Sequence, residues 1–177
     1  HEEFGKEVHA YAVAWSRGEV EQVAGFADKV IFNSASQLRA FHPLVEHLVV
    51  GVRVNPGISH SHFDLADPAR RFSRLGITDA DELRGVADMV KGLMFHFNCE
   101  NTEVSSIERS LAILGERYAD VLHAMDWISL GGGISFTTPD YDVERFCTLL
   151  RDFAARFAVQ IYLEPGEAVI TDSAELV

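Results

Sequence analysis

Short apolar runs rich in β-branched residues alternate with amphipathic segments along the whole chain, and this alternation constrains the fold more than any other feature. The runs cover residues 9–15, 30–33, 48–55, 92–98, 126–130 and 159–163. Apolar runs of this length suit strands buried on both faces of a parallel sheet, with the intervening segments as covering helices. Ser16 with Glu19, Ser34 with Gln37, and Ser105 with Glu108 have capping-box spacing. Thr78 or Asp79 opens a helix through Leu83, Val86 and Val90. Ile107, Leu111, Leu114 and Tyr118 recur at helical spacing, as do Val143, Phe146, Leu150, Phe153 and Phe157.

Two architectures satisfy this pattern, a doubly wound open sheet and a (β/α)8 barrel of the TIM type. The polar residues argue for the barrel. Asn33, Arg53, His96, the run Gly131-Gly132-Gly133 and Glu164 all stand at or near strand carboxyl ends. A barrel draws its site from the ends of many strands, whereas a doubly wound sheet gathers it at one switch point. A complete barrel has eight strands and roughly 250 residues; this chain has six strands in 177 residues. The expectation is an α/β chain forming a partial (β/α)8 barrel. No low-complexity tract or linker divides it, so residues 1–177 read as one domain.

Charge and cysteine usage narrow the function. A net charge of −12 disfavours nucleic acid and anionic membrane as partners and suits a cationic substrate. No apolar run approaches the length of a membrane span. Cys99 and Cys147 are the only cysteines and lack metal-ligand spacing, which fits a reducing, cytoplasmic compartment.

The candidate site residues each leave two uses open. Three glycines after a strand serve either a tight turn at positive φ or an anion cradle of bare N–H groups. His96, between Phe95 and Phe97, is either a core histidine or an imidazole stacked on a flat ring. Strand alternation puts it on one face with Met94 and Asn98. Glu164, before Pro165-Gly166, is either a loop ion-pair partner or a carboxylate that holds a ring nitrogen protonated. Arg53, inside an apolar strand, needs a buried partner or a wet cavity. His60-Ser61-His62 invites a metal reading, but no further ligand cluster supports it, so no metal is expected. Residues 58–76 form a long connection, a length more often functional than idle. Within it Arg70-Arg71 and Ser73-Arg74-Leu75-Gly76 read as a solvated charge run or a basic handle for anions.

Six stretches, in this order, closely resemble the carboxynorspermidine decarboxylases. They are Gly51-Val52-Arg53-Val54-Asn55-Pro56-Gly57, His60-Ser61-His62-Phe63-Asp64-Leu65, Ser73-Arg74-Leu75-Gly76, Phe95-His96-Phe97-Asn98-Cys99-Glu100-Asn101, Ser129-Leu130-Gly131-Gly132-Gly133 and Glu164-Pro165-Gly166-Glu167-Ala168. That family stands among the ornithine and diaminopimelate decarboxylases, which share an alanine-racemase-like barrel. The resemblance implies a lyase of polyamine and spermidine biosynthesis that uses pyridoxal 5'-phosphate and releases CO2 from carboxynorspermidine or carboxyspermidine. It implies that Gly131, Gly132 and Gly133 bind the cofactor phosphate, that Glu164 pairs with the ring nitrogen and that His96 stacks on the ring. Arg53 is implied to lie near the cofactor. The small polycationic amino-acid substrate fits the acidic charge, and the family's homodimer is implied for the full-length form.

Two features depart from the wider group. Relatives often carry an arginine directly after Glu-Pro-Gly, where this chain has Glu167. The family's cofactor-bearing lysine lies on the first barrel strand, but Lys6, Lys29 and Lys91 stand in no matching context. The six strands correspond to the third through eighth of the barrel. The chain therefore reads as an incomplete cofactor-binding barrel, without the first two strands and the carboxyl-terminal β domain, and inactive alone. The alternatives are a non-catalytic relative, a diaminopimelate- or ornithine-type decarboxylase, a racemase on the same barrel, or a metal-dependent hydrolase using His60, His62 and His96.

Overall fold

Six strands pair side by side in sequence order, every pair parallel, with no crossover that skips a neighbour. They are β1 (His9–Tyr11), β2 (Lys29–Phe32), β3 (Val49–Arg53), β4 (Gly92–Met94), β5 (Trp127–Ser129) and β6 (Gln160–Tyr162). A doubly wound sheet reverses its strand order at a switch point; this sheet never does, and it curls into a half-barrel. The computed structural model describes residues 6–59, 67–70, 72–170 and 173.

Between the strands lie α1 (Arg17–Val23), α2 (Ala35–Phe41), α3 (Ala80–Arg84), α4 (Val104–Arg117), α5 (Ala119–Leu122) and α6 (Val143–Phe157), with α7 (Glu167–Ile170) after β6. The Ser16–Glu19 capping box is complete at α1. At α2 only half of the expected box forms: Ser34 accepts from the Gln37 N–H, while Gln37 reaches past it to the Asn33 N–H. The box expected at Ser105 and Glu108 is absent. The helix starts two residues earlier, with Glu103 as its N-cap, because Asn101 Oδ1 accepts from the Glu103 N–H and turns the chain into α4. The helix expected through Val90 stops at Arg84, and residues 87–89 form a separate 3-10 turn whose end turns extended at Val90.

The strands are shorter than the apolar runs, since backbone groups beyond the ladder bond to loops. The Asn55 N–H donates to the Ile77 carbonyl at 2.8 Å, and the Ile77 N–H to the Arg53 carbonyl at 2.9 Å. Alternation nonetheless persists past β4, where Phe95 and Phe97 join the core under the helices.

The two sheet faces differ. Val30, Phe32, Val50, Val52, Leu93 and Ile128 point outward into a core closed by the helices. The inner face carries Ile31, Met94 and Trp127, flanked by Tyr11 and Tyr162. Gly51, Gly92 and Trp127 are lateral neighbours in register on β3, β4 and β5. The indole lies across both glycines: a Cβ on Gly92 would come within 1.9 Å of Trp127 Cε2, and one on Gly51 within 2.6 Å of Cη2. At the amino-terminal end of this face buried Lys29 places Nζ 2.7 Å from Glu7 Oε1. Glu7 also accepts from the Tyr162 hydroxyl at 2.8 Å. The Lys29 contact first, then Tyr162 and His9, pull the Glu7 carboxyl down to about 2.

Candidate active site at the strand carboxyl ends

Each strand delivers at least one polar group to the same end of the half-barrel. Tyr11 closes β1, Asn33 follows β2, Arg53 closes β3, His96 and Asn98 follow β4, Ser129 closes β5 and Glu164 follows β6.

Arg53 is 5 % exposed and has the partners that its position demanded. Its Nη1 donates to the Tyr11 hydroxyl at 2.6 Å and its Nη2 to the His96 carbonyl at 3.0 Å. The Tyr11 hydroxyl donates onward to Asn33 Oδ1 at 3.0 Å. Asn33 holds the incoming long connection by donating to the Arg74 carbonyl at 2.8 Å and accepting from the Gly76 N–H at 3.0 Å. Gly76 sits at φ +87°, where a Cβ would reach within 2.9 Å of the Asn55 nitrogen, so the motif ends on a glycine for steric reasons.

The glycine run is both a turn and a close-packed junction. Gly131 and Gly133 take φ of +69° and +76°. A Cβ on Gly131 would meet His96 Nδ1 at 2.3 Å, one on Gly132 the Glu164 carbonyl at 2.5 Å, and one on Gly133 the Asn98 carbonyl at 2.5 Å. The loop therefore touches the ends of β4 and β6 at once. The Glu164 N–H donates to the Gly131 carbonyl at 2.9 Å. The Ser129 hydroxyl donates to Glu164 Oε1 and accepts from the Gly131 N–H at 3.0 Å. Asn98, 3 % exposed, is braced by Asn101 Nδ2 at 2.9 Å.

His96 lies between Arg53 and Gly131. Burial, and then the Arg53 guanidinium, push its imidazole below the ordinary value, and Glu164 opposes this only in part. The ring is thus a neutral, apolar-faced plate near neutral pH. Beside His96 and Arg53 opens a cavity of about 530 Å³, also lined by Asp67, Phe72, Arg74 and Cys99.

The structure thus brings together Arg53, His96, Gly131, Gly132, Gly133 and Glu164. His60 and His62 lie outside the described residues. Among the described residues no group of three or more His, Cys, Asp or Glu could hold a metal, and no helix is long and apolar enough to cross a membrane. Lys29 starts β2, Lys91 directly precedes β4 and Lys6 comes three residues before β1, so all three lysines stand at the end opposite this site. Sequence reasoning missed Tyr11 and Ser129. The signal was there: both are the last, inward-facing residue of a short strand.

A scan of protein-family models finds no match. Over 176 residues the chain is 47 % identical to the carboxynorspermidine/carboxyspermidine decarboxylase of Herminiimonas arsenicoxydans, covering 99 % of this chain and 48 % of that protein. The Campylobacter jejuni enzyme of the same name is 34 % identical over 172 residues, with 97 % and 45 % covered. Among solved structures, carboxynorspermidine decarboxylase from Campylobacter jejuni complexed with norspermidine superposes with a TM-score of 0.82 at 33 % identity, covering 95 % of this chain and 43 % of that one. A diaminopimelate decarboxylase follows with a TM-score of 0.74 at 19 % identity, covering 95 % and 44 %, a likeness of fold alone. The resemblance read from the six stretches is borne out, and so is the decarboxylase barrel. The chain spans about half the length of the curated relatives it matches.

Proposed function

We propose that this chain is barrel segment three to eight of a pyridoxal-phosphate-dependent decarboxylase that converts carboxynorspermidine or carboxyspermidine to norspermidine or spermidine. The observation that carries the reading is the contact between the glycine loop and Glu164, which joins an anion cradle to a carboxylate at the mouth of a decarboxylase barrel. The 47 % identity to an enzyme of that name supports the substrate. A relative named carboxyaminopropylagmatine decarboxylase, 29 % identical over 171 residues, fits the same class of carboxylated polyamine.

The residues present fit the cofactor. Among the described residues the N–H groups of Gly133 and Ile134 meet no acceptor, and they would hold its phosphate. Glu164 keeps one carboxylate oxygen free of hydrogen bonds among the described residues and would hold a proton at the ring nitrogen. His96, neutral and braced by Arg53 through its own carbonyl, offers a flat face for the ring. When bound, pyridoxal phosphate supplies an electron sink for the pair left behind as CO2 departs. Glu164 strengthens that sink by keeping positive charge on the ring. Arg53 positions His96 and places a cation beside the cavity, where it would attract the carboxylate of the incoming substrate before that group leaves as neutral CO2. The net charge of −12 favours approach of a polycationic substrate.

The lysine that carries the cofactor is not among Lys6, Lys29 and Lys91, so we assign it to a strand outside these residues. A dimer and a cytoplasmic location complete the reading. Carbon dioxide release by the whole protein tests it, with carboxynorspermidine, carboxyspermidine, diaminopimelate and ornithine as substrates. Release from the first two is expected. Release only from diaminopimelate or ornithine would reassign the substrate, and none from any would leave a non-catalytic relative.

A further inference from the structure

We propose that Ser129 is a positioning residue that locks the Glu164 carboxylate to the glycine loop, so that the groups facing the two ends of the cofactor move as one unit. The inference rests on the reading of Glu164 and the loop given above. Ser129 is the last residue of β5, alternates with Trp127 on the inner face and is 1 % exposed. A hydroxyl at such a position is costly to bury unless it has partners, and packing alone would be met by alanine.

The direction of its two hydrogen bonds is forced. A backbone N–H can only donate, so the 3.0 Å contact from the Gly131 N–H makes the Ser129 oxygen an acceptor. The single hydroxyl proton is then left for Glu164 Oε1. That bond occupies one carboxylate oxygen and leaves the other to face the cofactor. Without it, Glu164 is an exposed side chain before Pro165-Gly166, with three freely rotating torsions. Two backbone bonds run in parallel with the serine link: the Glu164 N–H to the Gly131 carbonyl at 2.9 Å and the Leu130 N–H to the Tyr162 carbonyl at 3.0 Å. These hold the backbones of β5 and β6 together but do not reach the carboxylate. Among the described residues Ser129 alone connects that carboxylate to the loop.

The test compares the whole protein with its Ser129→Ala and Ser129→Thr variants. Three quantities are read: the Kd for pyridoxal phosphate, the nitrogen-15 resonance of the labelled ring nitrogen when bound, and hydrogen exchange at the Gly131 amide without cofactor. A charge-assisted hydrogen bond predicts that Ser129→Ala binds about tenfold more weakly. Its ring-nitrogen resonance should move toward the unprotonated position and its Gly131 amide should exchange faster. Ser129→Thr, which keeps the hydroxyl, should restore the resonance. If the wild type binds cofactor and Ser129→Ala matches it in Kd and resonance, this proposal is overturned while the site reading stands. If the wild type does not bind the cofactor, the site reading itself falls. Ser129→Cys keeps the volume should the alanine variant fold poorly; wild-type affinity and resonance there also overturn the proposal.

Discussion

A carboxylate at the end of a strand has many uses, and its neighbours decide which one. Glu164 has no cation within ion-pairing distance among the described residues; its side-chain partner is the neutral Ser129 hydroxyl. An ion-pair role is therefore not built among the described residues, which supports the proposed proton-holding role. Glu164→Gln should retain pyridoxal phosphate yet lower the decarboxylation rate by about 100-fold, measured as CO2 release at saturating substrate. An unchanged rate would remove Glu164 from the chemistry. His96 gives a prediction independent of the cofactor. Its imidazole is held below the ordinary value of about 6.5 by burial and by Arg53. The unfolded chain then binds the proton more readily, so this group's contribution to stability is present above about 6.5 and is lost as pH falls through the folded value. An NMR titration of the cofactor-free protein should place the His96 midpoint below 6.5; a midpoint at or above it would contradict the described packing. Gly131→Ala forces a Cβ to within 2.3 Å of His96 Nδ1 at a φ of +69°. A strained backbone of this kind costs about 1–3 kcal/mol, and cofactor affinity should fall with it, as read by titration of the variant.

At the scale of elements, alternation made the strands and their order legible, and polar residues at strand ends made the barrel legible. Arg53 and His96 stood out because a charged or polar group inside an apolar run has to be explained. Ser129 and Tyr11 did not stand out, because serine and tyrosine are ordinary strand residues and their roles depend on partners 35 and 42 positions away. The lost Ser105–Glu108 box was illegible because a residue just upstream takes over: Asn101 Oδ1 accepts from the Glu103 N–H, and Asn101 is itself pinned to the glycine loop by its N–H to the Gly133 carbonyl. The paired glycines under Trp127 were equally invisible as a pair, since only the β3–β4–β5 register brings them together. Gly92→Ala should overpack this slot and destabilise the protein by about 1–3 kcal/mol, measured by urea unfolding. Trp127→Ala combined with Gly92→Ala should lose much less than the two single changes added together. Additive losses would show that the indole does not occupy the slot.

Across the whole molecule, the half-barrel separates two tasks. The amino-terminal end of its inner face is held by the Lys29–Glu7–Tyr162 cluster. The carboxyl-terminal end gathers the arginine, the imidazole, the glycine loop and the carboxylate. The three lysines fall at the first end and none at the second, which supports the proposed reading that none of them carries the cofactor. The most direct test of this account is an absorbance titration of the whole protein with pyridoxal phosphate, followed by borohydride reduction and peptide mapping. The account predicts a saturable cofactor band, fixed by borohydride to a lysine other than Lys6, Lys29 and Lys91. No band at any cofactor concentration, or modification of Lys29, would contradict it.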